Sequence, residues 1–258
     1  METLILKTLY NKINNNQSVA LVTLIESQGA TPRKAGTIMG VFEEGIVGTI
    51  GGGLIELKVI KLARECIKNQ ENKYFEFDLN DNGKNSIDMS CGGSVKGFIK
   101  FLKPNDRVVI IGAGHIGRNL KSLLNNSSFD VVVFDDREEE KKDGVIVGNF
   151  ETLIKELPEN KNTYFIVVTK GHKSDFVAIK NILKKQSKYI GMVGSKKKVL
   201  EVRKQLLEEG YIIPEEKFYA PIGLDFSNGT PYEIAVEILA EILAVKNNKE
   251  VKHRKIIV

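Results

Sequence analysis

Apolar positions at Leu4, Ile5, Leu9 and Ile13 recur at helical spacing, and the run Val19-Ala20-Leu21-Val22-Thr23-Leu24-Ile25 that follows predicts a buried strand. Thr37-Ile38-Met39-Gly40-Val41-Phe42 and Ile46-Val47-Gly48-Thr49-Ile50 bracket Glu43-Glu44-Gly45 as a hairpin. Residues 54–67 predict a helix, with Ile55, Val59, Leu62 and Cys66 near one face. Tyr74-Phe75-Glu76-Phe77-Asp78 and Val95-Lys96-Gly97-Phe98-Ile99-Lys100-Phe101 read as strands. Between them, residues 79–94 form a long loop rich in Asn, Asp, Gly and Ser, a type that tends to carry function in compact domains.

The pattern changes near Lys103-Pro104-Asn105-Asp106, where β-type segments around a glycine-rich centre give way to alternating strands and helices. Strands are predicted at 107–111, 130–134, 145–147, 164–168 and 189–193, with helices over 115–124, 151–156, 175–185, 197–209 and 232–246. Near-continuous apolar strands joined by helical crossovers imply a parallel sheet covered on both faces. The expected fold is therefore α/β: a smaller N-terminal α+β domain over residues 1–103, then a Rossmann-like doubly wound domain over 104–258. The N-terminal half is thin on core, which makes a homodimer the expected assembly.

Composition narrows the partners. The net charge of +5, from 38 basic and 33 acidic residues, is mild. The terminal run Lys252-His253-Arg254-Lys255 has no interleaved aromatics, so it predicts a solvated tail and no nucleic-acid surface. Apolar runs fall short of the roughly 18 residues of a membrane span, and the first residues lack the pattern of an export signal. Two cysteines, Cys66 and Cys91, favour a reducing compartment, so the expected location is cytoplasmic.

Two segments carry candidate chemistry. Gly112-Ala113-Gly114-His115-Ile116-Gly117 follows an apolar strand and opens a helix, the context that a dinucleotide fingerprint needs. Gly112 permits the turn, Gly114 lets backbone approach a diphosphate, and Gly117 lets helix pack on strand. Asp135, closing the next strand, is the candidate for a ribose hydroxyl, with Asp136 able to serve from the adjacent position. His115 is either a ligand-facing donor or an exposed bystander. Thr169-Lys170-Gly171-His172-Lys173-Ser174-Asp175 and Gly194-Ser195-Lys196-Lys197 end later strands and are expected to rim the same crevice. Ser195 can hold a second phosphate or merely cap a helix. His172 and Asp175 can pair, but two groups make no metal site.

The second segment is Met89-Ser90-Cys91-Gly92-Gly93. Glycines beside a thiol supply unobstructed N–H groups that can lower its pKa, whereas Cys66 lies in an apolar stripe and reads as inert core. The Cys91 thiolate is a soft metal ligand, suited to molybdenum, copper or zinc, or else a nucleophile. Upstream, Gly48-Thr49-Ile50-Gly51-Gly52-Gly53 runs into a helix and can cradle an anion, without the Gly-Lys-Ser/Thr ending of an ATP-hydrolysing loop. Arg33, in a turn, can reach a phosphate.

Taken in order, Gln28-Gly29-Ala30-Thr31-Pro32-Arg33, the 48–53 glycine run, Ser90-Cys91-Gly92-Gly93, the glycine fingerprint, Tyr189-Ile190-Gly191-Met192-Val193-Gly194-Ser195-Lys196 and Thr230-Pro231-Tyr232-Glu233 resemble the XdhC/CoxI family of xanthine dehydrogenase accessory factors. The resemblance runs from about Val19 to about Ala244. It implies a protein that binds the molybdenum cofactor (molybdopterin), supports its sulfuration and delivers it to a molybdenum hydroxylase such as xanthine dehydrogenase, with a cysteine desulfurase as a further partner. Such a protein is an insertion chaperone in preference to an enzyme. On this resemblance, Cys91 with Gly92 and Gly93 would contact the molybdenum centre, Gly51, Gly52, Gly53 and Arg33 the pterin phosphate, and Gly112, Gly114, Gly117 and Asp135 would form a nucleotide-type crevice. Asp135-Asp136-Arg137 departs from the family's more usual Asp-Pro-Arg, which leaves the ribose role of Asp135 open. NAD(P) or another nucleotide is the alternative cofactor, for an NAD(P)-dependent oxidoreductase or a nucleotide- or redox-sensing module.

Overall fold

The computed structural model describes residues 1–29, 33–78 and 93–253. The chain divides into two compact units, Met1–Pro104 and Asn105–Val258.

In the first unit the long strand β1 (Val19–Gly29) pairs antiparallel with β2 (Ile38–Phe42) on one side and β5 (Gly93–Leu102) on the other. β3 (Gly45–Gly48) and β4 (Lys73–Asp78) complete the order β3-β2-β1-β5-β4. The period of two along β1 sorts its side chains between two helices. Ala20, Val22 and Leu24 pack with Val59, Ala63 and Cys66 of helix α2 (Gly53–Asn69). Val19 and Leu21 pack with Ile5 and Leu9 of helix α1 (Glu2–Asn14). Cys66 is fully buried in this core, and burial pushes its thiol up, so it stays a protonated packing residue.

The expected loop over 79–94 overlaps the start of β5. Gly93 and Ser94 already belong to β5, opposite Gly29 and Gln28. A glycine adds nothing to an alternation pattern, so the strand start was invisible there. Residues 79–92, and with them Cys91 and Gly92, lie outside the described residues.

The second unit is a six-stranded parallel sheet in the order β11-β10-β9-β6-β7-β8. Its strands are β6 (Arg107–Ile111), β7 (Asp130–Asp135), β8 (Val145–Val147), β9 (Thr163–Val167), β10 (Tyr189–Met192) and β11 (Phe218–Tyr219). Along β6, Val108 and Ile110 face α3 (His115–Leu124) and α7 (Pro231–Asn247), packing with Leu120, Leu124, Ile238 and Ile242. Val109 and Ile111 face the other way, into a core with α4 (Phe150–Glu156), α5 (His172–Ile182) and α6 (Lys196–Glu208). Each such fully buried Val, Leu or Ile side chain contributes about 1.5–3 kcal/mol relative to exposure. Helix α7 starts sharply because Thr230 and Glu233 form a reciprocal capping box around Pro231. Most boundaries shift by a single residue; the larger differences are that α5 runs His172–Ile182, beginning and ending three residues earlier than expected, and that the two-residue β11 is new. Among the described residues, no helix is long and apolar enough to cross a membrane.

Candidate functional site

The sheet of the second unit changes direction between β6, which continues to β7 and β8, and β9, which continues to β10 and β11. The glycine turn after β6 opens at this switch point, where open α/β sheets bind ligands beyond the carboxyl ends of their strands. Gly112 has φ of 114°, and a Cβ there would lie 2.6 Å from the Val168 carbonyl oxygen. A Cβ on Gly117 would lie 1.9 Å from the Gly112 carbonyl oxygen, so only glycine lets α3 sit this close to the turn. Gly114 differs, since its Cβ would meet nothing within 4 Å. Its side is open, and the residue at the start of α3 brings no side-chain cap. First-turn N–H groups of a helix have no intrahelical acceptor, which leaves them for an anion.

A crevice of about 420 Å³ lies over this turn, within the range of small-molecule sites. Gly112 and Gly114 form its floor, with Asp136 and Arg137 after β7 on one wall and Thr169 and Lys170 after β9 on the other. Asp135 reaches the crevice but is only 1% exposed. Its Oδ2 accepts from the Ala113 N–H at 2.6 Å and from Arg137 Nη2 at 2.9 Å. Its Oδ1 accepts from the Arg137 N–H and from Arg137 Nε, both at 2.9 Å. Burial would push this carboxyl up, but Arg137 and the two backbone donors outweigh it and hold it below the ordinary aspartate range. Asp135, expected to bind ribose, is thus a strut that ties the glycine turn to β7. Arg137, which the sequence motif Asp135-Asp136-Arg137 contains but to which no role was given, covers it; its place two residues after the acid was the available signal.

The other wall is braced from below. Asp175 is fully buried on α5, accepts from Thr169 Oγ1 at 2.7 Å, and forms an ion pair with Lys198 of α6. Burial pushes the Asp175 carboxyl up, against the pull of Lys198 and Thr169. The pairing of His172 with Asp175 that their spacing allows is not made as a hydrogen bond or ion pair. Both residues sit in the first turn of α5, where Asp175 turns inward while exposed His172 approaches Glu201 of α6, Nδ1 to Oε2 at 3.4 Å. Only the first of the two expected rim loops lines the crevice. Ser195 is exposed, caps α6 by accepting from the Lys198 N–H at 3.3 Å, and does not line the crevice. His115 is exposed and lies outside the crevice lining.

In the first unit the glycine run also makes an anion cradle, and the chain fills it. The Glu56 carboxylate, one turn into α2, accepts from the N–H groups of Ile50 at 3.0 Å and Gly52 at 3.1 Å, and from the Thr49 hydroxyl. The Gly51 N–H donates to Thr49 Oγ1 at 3.1 Å. Donors at Gly51 and Gly52 that were expected to meet a pterin phosphate are therefore engaged internally, and exposed Gly53 simply starts the helix. An acid in the first turn after a glycine run was the missed signal. Arg33 is exposed in a bend. Among the described residues, no group of three or more His, Cys, Asp or Glu side chains could hold a metal ion.

A doubly wound parallel sheet with a glycine turn open at its switch point defines a Rossmann-type unit. Residues 108–242 match the XdhC Rossmann domain and residues 13–78 match the XdhC and CoxI family, so the chain belongs to that family. Among curated proteins, it is 30% identical over 244 residues to the uncharacterized protein YqeB of Escherichia coli (strain K12), covering 90% of this chain and 44% of the relative. It is 29% identical over 156 residues to a probable xanthine dehydrogenase subunit of Bacillus subtilis (strain 168), covering 58% of this chain and 46% of that protein. The chain thus spans less than half the length of these relatives. A crystal structure described as a xanthine dehydrogenase from Bacillus halodurans superposes with a TM-score of 0.52 at 18% identity, covering 95% of this chain and 96% of that one. At that identity the likeness speaks for the fold alone.

Proposed function

We propose that this protein is an accessory factor of a molybdenum hydroxylase of the xanthine dehydrogenase type. In this reading it holds the molybdenum cofactor, shields it from oxygen, supports its sulfuration with a cysteine desulfurase, and hands it to the hydroxylase. The observation that carries the reading is that both units match one family, and that one curated relative is described as a probable xanthine dehydrogenase component. The residues fit the cofactor in part. The glycine turn of the second unit is open to a phosphate-bearing group, whereas the turn of the first unit already holds the Glu56 carboxylate. When bound, the cofactor supplies redox chemistry at molybdenum; the protein's part is to bind it and keep it from solvent. Cys91 is the soft ligand that this reading assigns to the metal.

The test is metal and pterin analysis of protein purified anaerobically from cells that make the cofactor, beside a Cys91→Ala variant. Near-stoichiometric molybdenum and pterin are expected in the parent, falling to about one-tenth occupancy in the variant, which corresponds to a loss of roughly 2–3 kcal/mol in binding. Retention unchanged by the substitution removes Cys91 from the site. The crevice of the second unit favours a second reading, a nucleotide-binding module. Protein free of molybdenum and pterin but carrying a nicotinamide nucleotide would move the function there.

A further inference from the structure

Ribose recognition in a switch-point crevice needs an acidic side chain with acceptor capacity to spare. Asp135 stands at the usual place, the end of the second strand of the sheet's fingerprint half, but each of its oxygens already accepts two hydrogen bonds. The guanidinium that covers it is also committed, since Arg137 Nη1 lies 3.4 Å from the buried Glu140, which in turn pairs with Arg118 at 3.1 Å. The acid that faces the crevice with capacity left is Asp136. It is exposed, its Oδ2 accepts from Ser174 Oγ at 3.0 Å, and its Oδ1 has no partner among the described residues. Ser174 comes from the first turn of α5, so the contact joins the β7 loop to the other side of the crevice, and both residues line it.

We propose that Asp136, held in place by Ser174, is the specificity residue of this crevice and selects a nucleotide with a free ribose 2′-hydroxyl over one bearing a 2′-phosphate. The inference rests on the crevice being a nucleotide site, and it adds which residue reads the ribose and what is rejected. A hydroxyl donates to the Asp136 carboxylate. A 2′-phosphate in its place brings like charge against that carboxylate, with Arg137 already shared between Asp135 and Glu140.

The experiment titrates the full chain with NADH and NADPH by nucleotide fluorescence, with ATP and CTP as calorimetric probes, and repeats it on Asp136→Ala and Ser174→Ala. NADH is expected to bind roughly tenfold or more tightly than NADPH, the scale of one charge-assisted hydrogen bond. Asp136→Ala should weaken NADH about tenfold and close most of the gap to NADPH, while Ser174→Ala weakens NADH by a smaller factor, about threefold. Asp136 is exposed, so an unchanged melting temperature separates loss of binding from loss of fold. Equal binding of NADH and NADPH overturns the proposal and leaves the nucleotide site standing; it would mean that Lys170, across the crevice, neutralises the extra phosphate. Discrimination that survives Asp136→Ala overturns it as well. Failure of every nucleotide to bind removes the nucleotide reading itself, and the proposal with it.

Discussion

At residues 48–53 and again at 112–117, a glycine-rich turn carries the chain from a strand into a helix. Both turns use positive φ, at Gly48, Gly51, Gly52 and Gly53 in the first and at Gly112 in the second. In the first, the donors meet the Glu56 carboxylate from the helix they introduce. In the second, no first-turn acid exists on α3, the nearest carboxylate is tied to Arg137, and the turn opens on a crevice. A glycine turn therefore keeps its donors open only where the chain supplies no anion of its own. The occupancy differs through one side chain one turn away, Glu56, which has no acidic counterpart in the first turn of α3.

The largest expected effect tests the wall that keeps the second turn open. Lys198→Met leaves Asp175 buried without its partner and should cost about 3–5 kcal/mol of stability. Burial already raises the Asp175 carboxyl, and without Lys198 it rises further, so the cost is full at neutral and alkaline pH and shrinks as acid protonates the group. Chemical denaturation of parent and variant at several pH values reads this directly; a pH-independent cost would mean that the pair is not ionised in the folded protein.

Next in size, Gly117→Ala forces a methyl against the Gly112 carbonyl and should cost about 3 kcal/mol, roughly a 6–12 °C fall in melting temperature. Gly114→Ala, facing open space, should cost less than about 1 kcal/mol while weakening any ligand in the crevice. Equal losses of stability at the two positions would erase the distinction between a packing glycine and an approach glycine.

Smaller again, Glu56→Ala strips the acceptor from two N–H groups and a hydroxyl, and should cost about 1–3 kcal/mol. Millimolar phosphate should restore part of the lost melting temperature in this variant and do nothing for the parent's first unit. Phosphate that fails to help the variant would show that the two turns differ in shape as well as in occupancy.

Much of this was legible along the chain because it is local. The glycine fingerprint, set between two apolar strands, placed α3 at its observed bounds, His115–Leu124, and the apolar runs marked β6 and β8 to the residue. The start of α5 was not legible. Gly171 caps it without a side chain, and the polar turn His172-Lys173-Ser174-Asp175 looks the same in a loop or a helix. The strand β11 has two residues, too few to show a period. Within the crevice, the glycines and the rim loop from Thr169 to Asp175 were foreseen, while the cover that Arg137 makes over Asp135 and the Ser174–Asp136 contact were not, because they depend on where the partners lie in space.

By itself the sequence determined the two-part α/β architecture and the position of both glycine turns, since periodicity and backbone freedom are properties of neighbouring residues. Only the tertiary structure decided which turn is open and which acid is free to read a ligand. Those outcomes depend on hydrogen bonds that Glu56, Arg137 and Ser174 make through space, and a donor committed to one partner is no longer available to another.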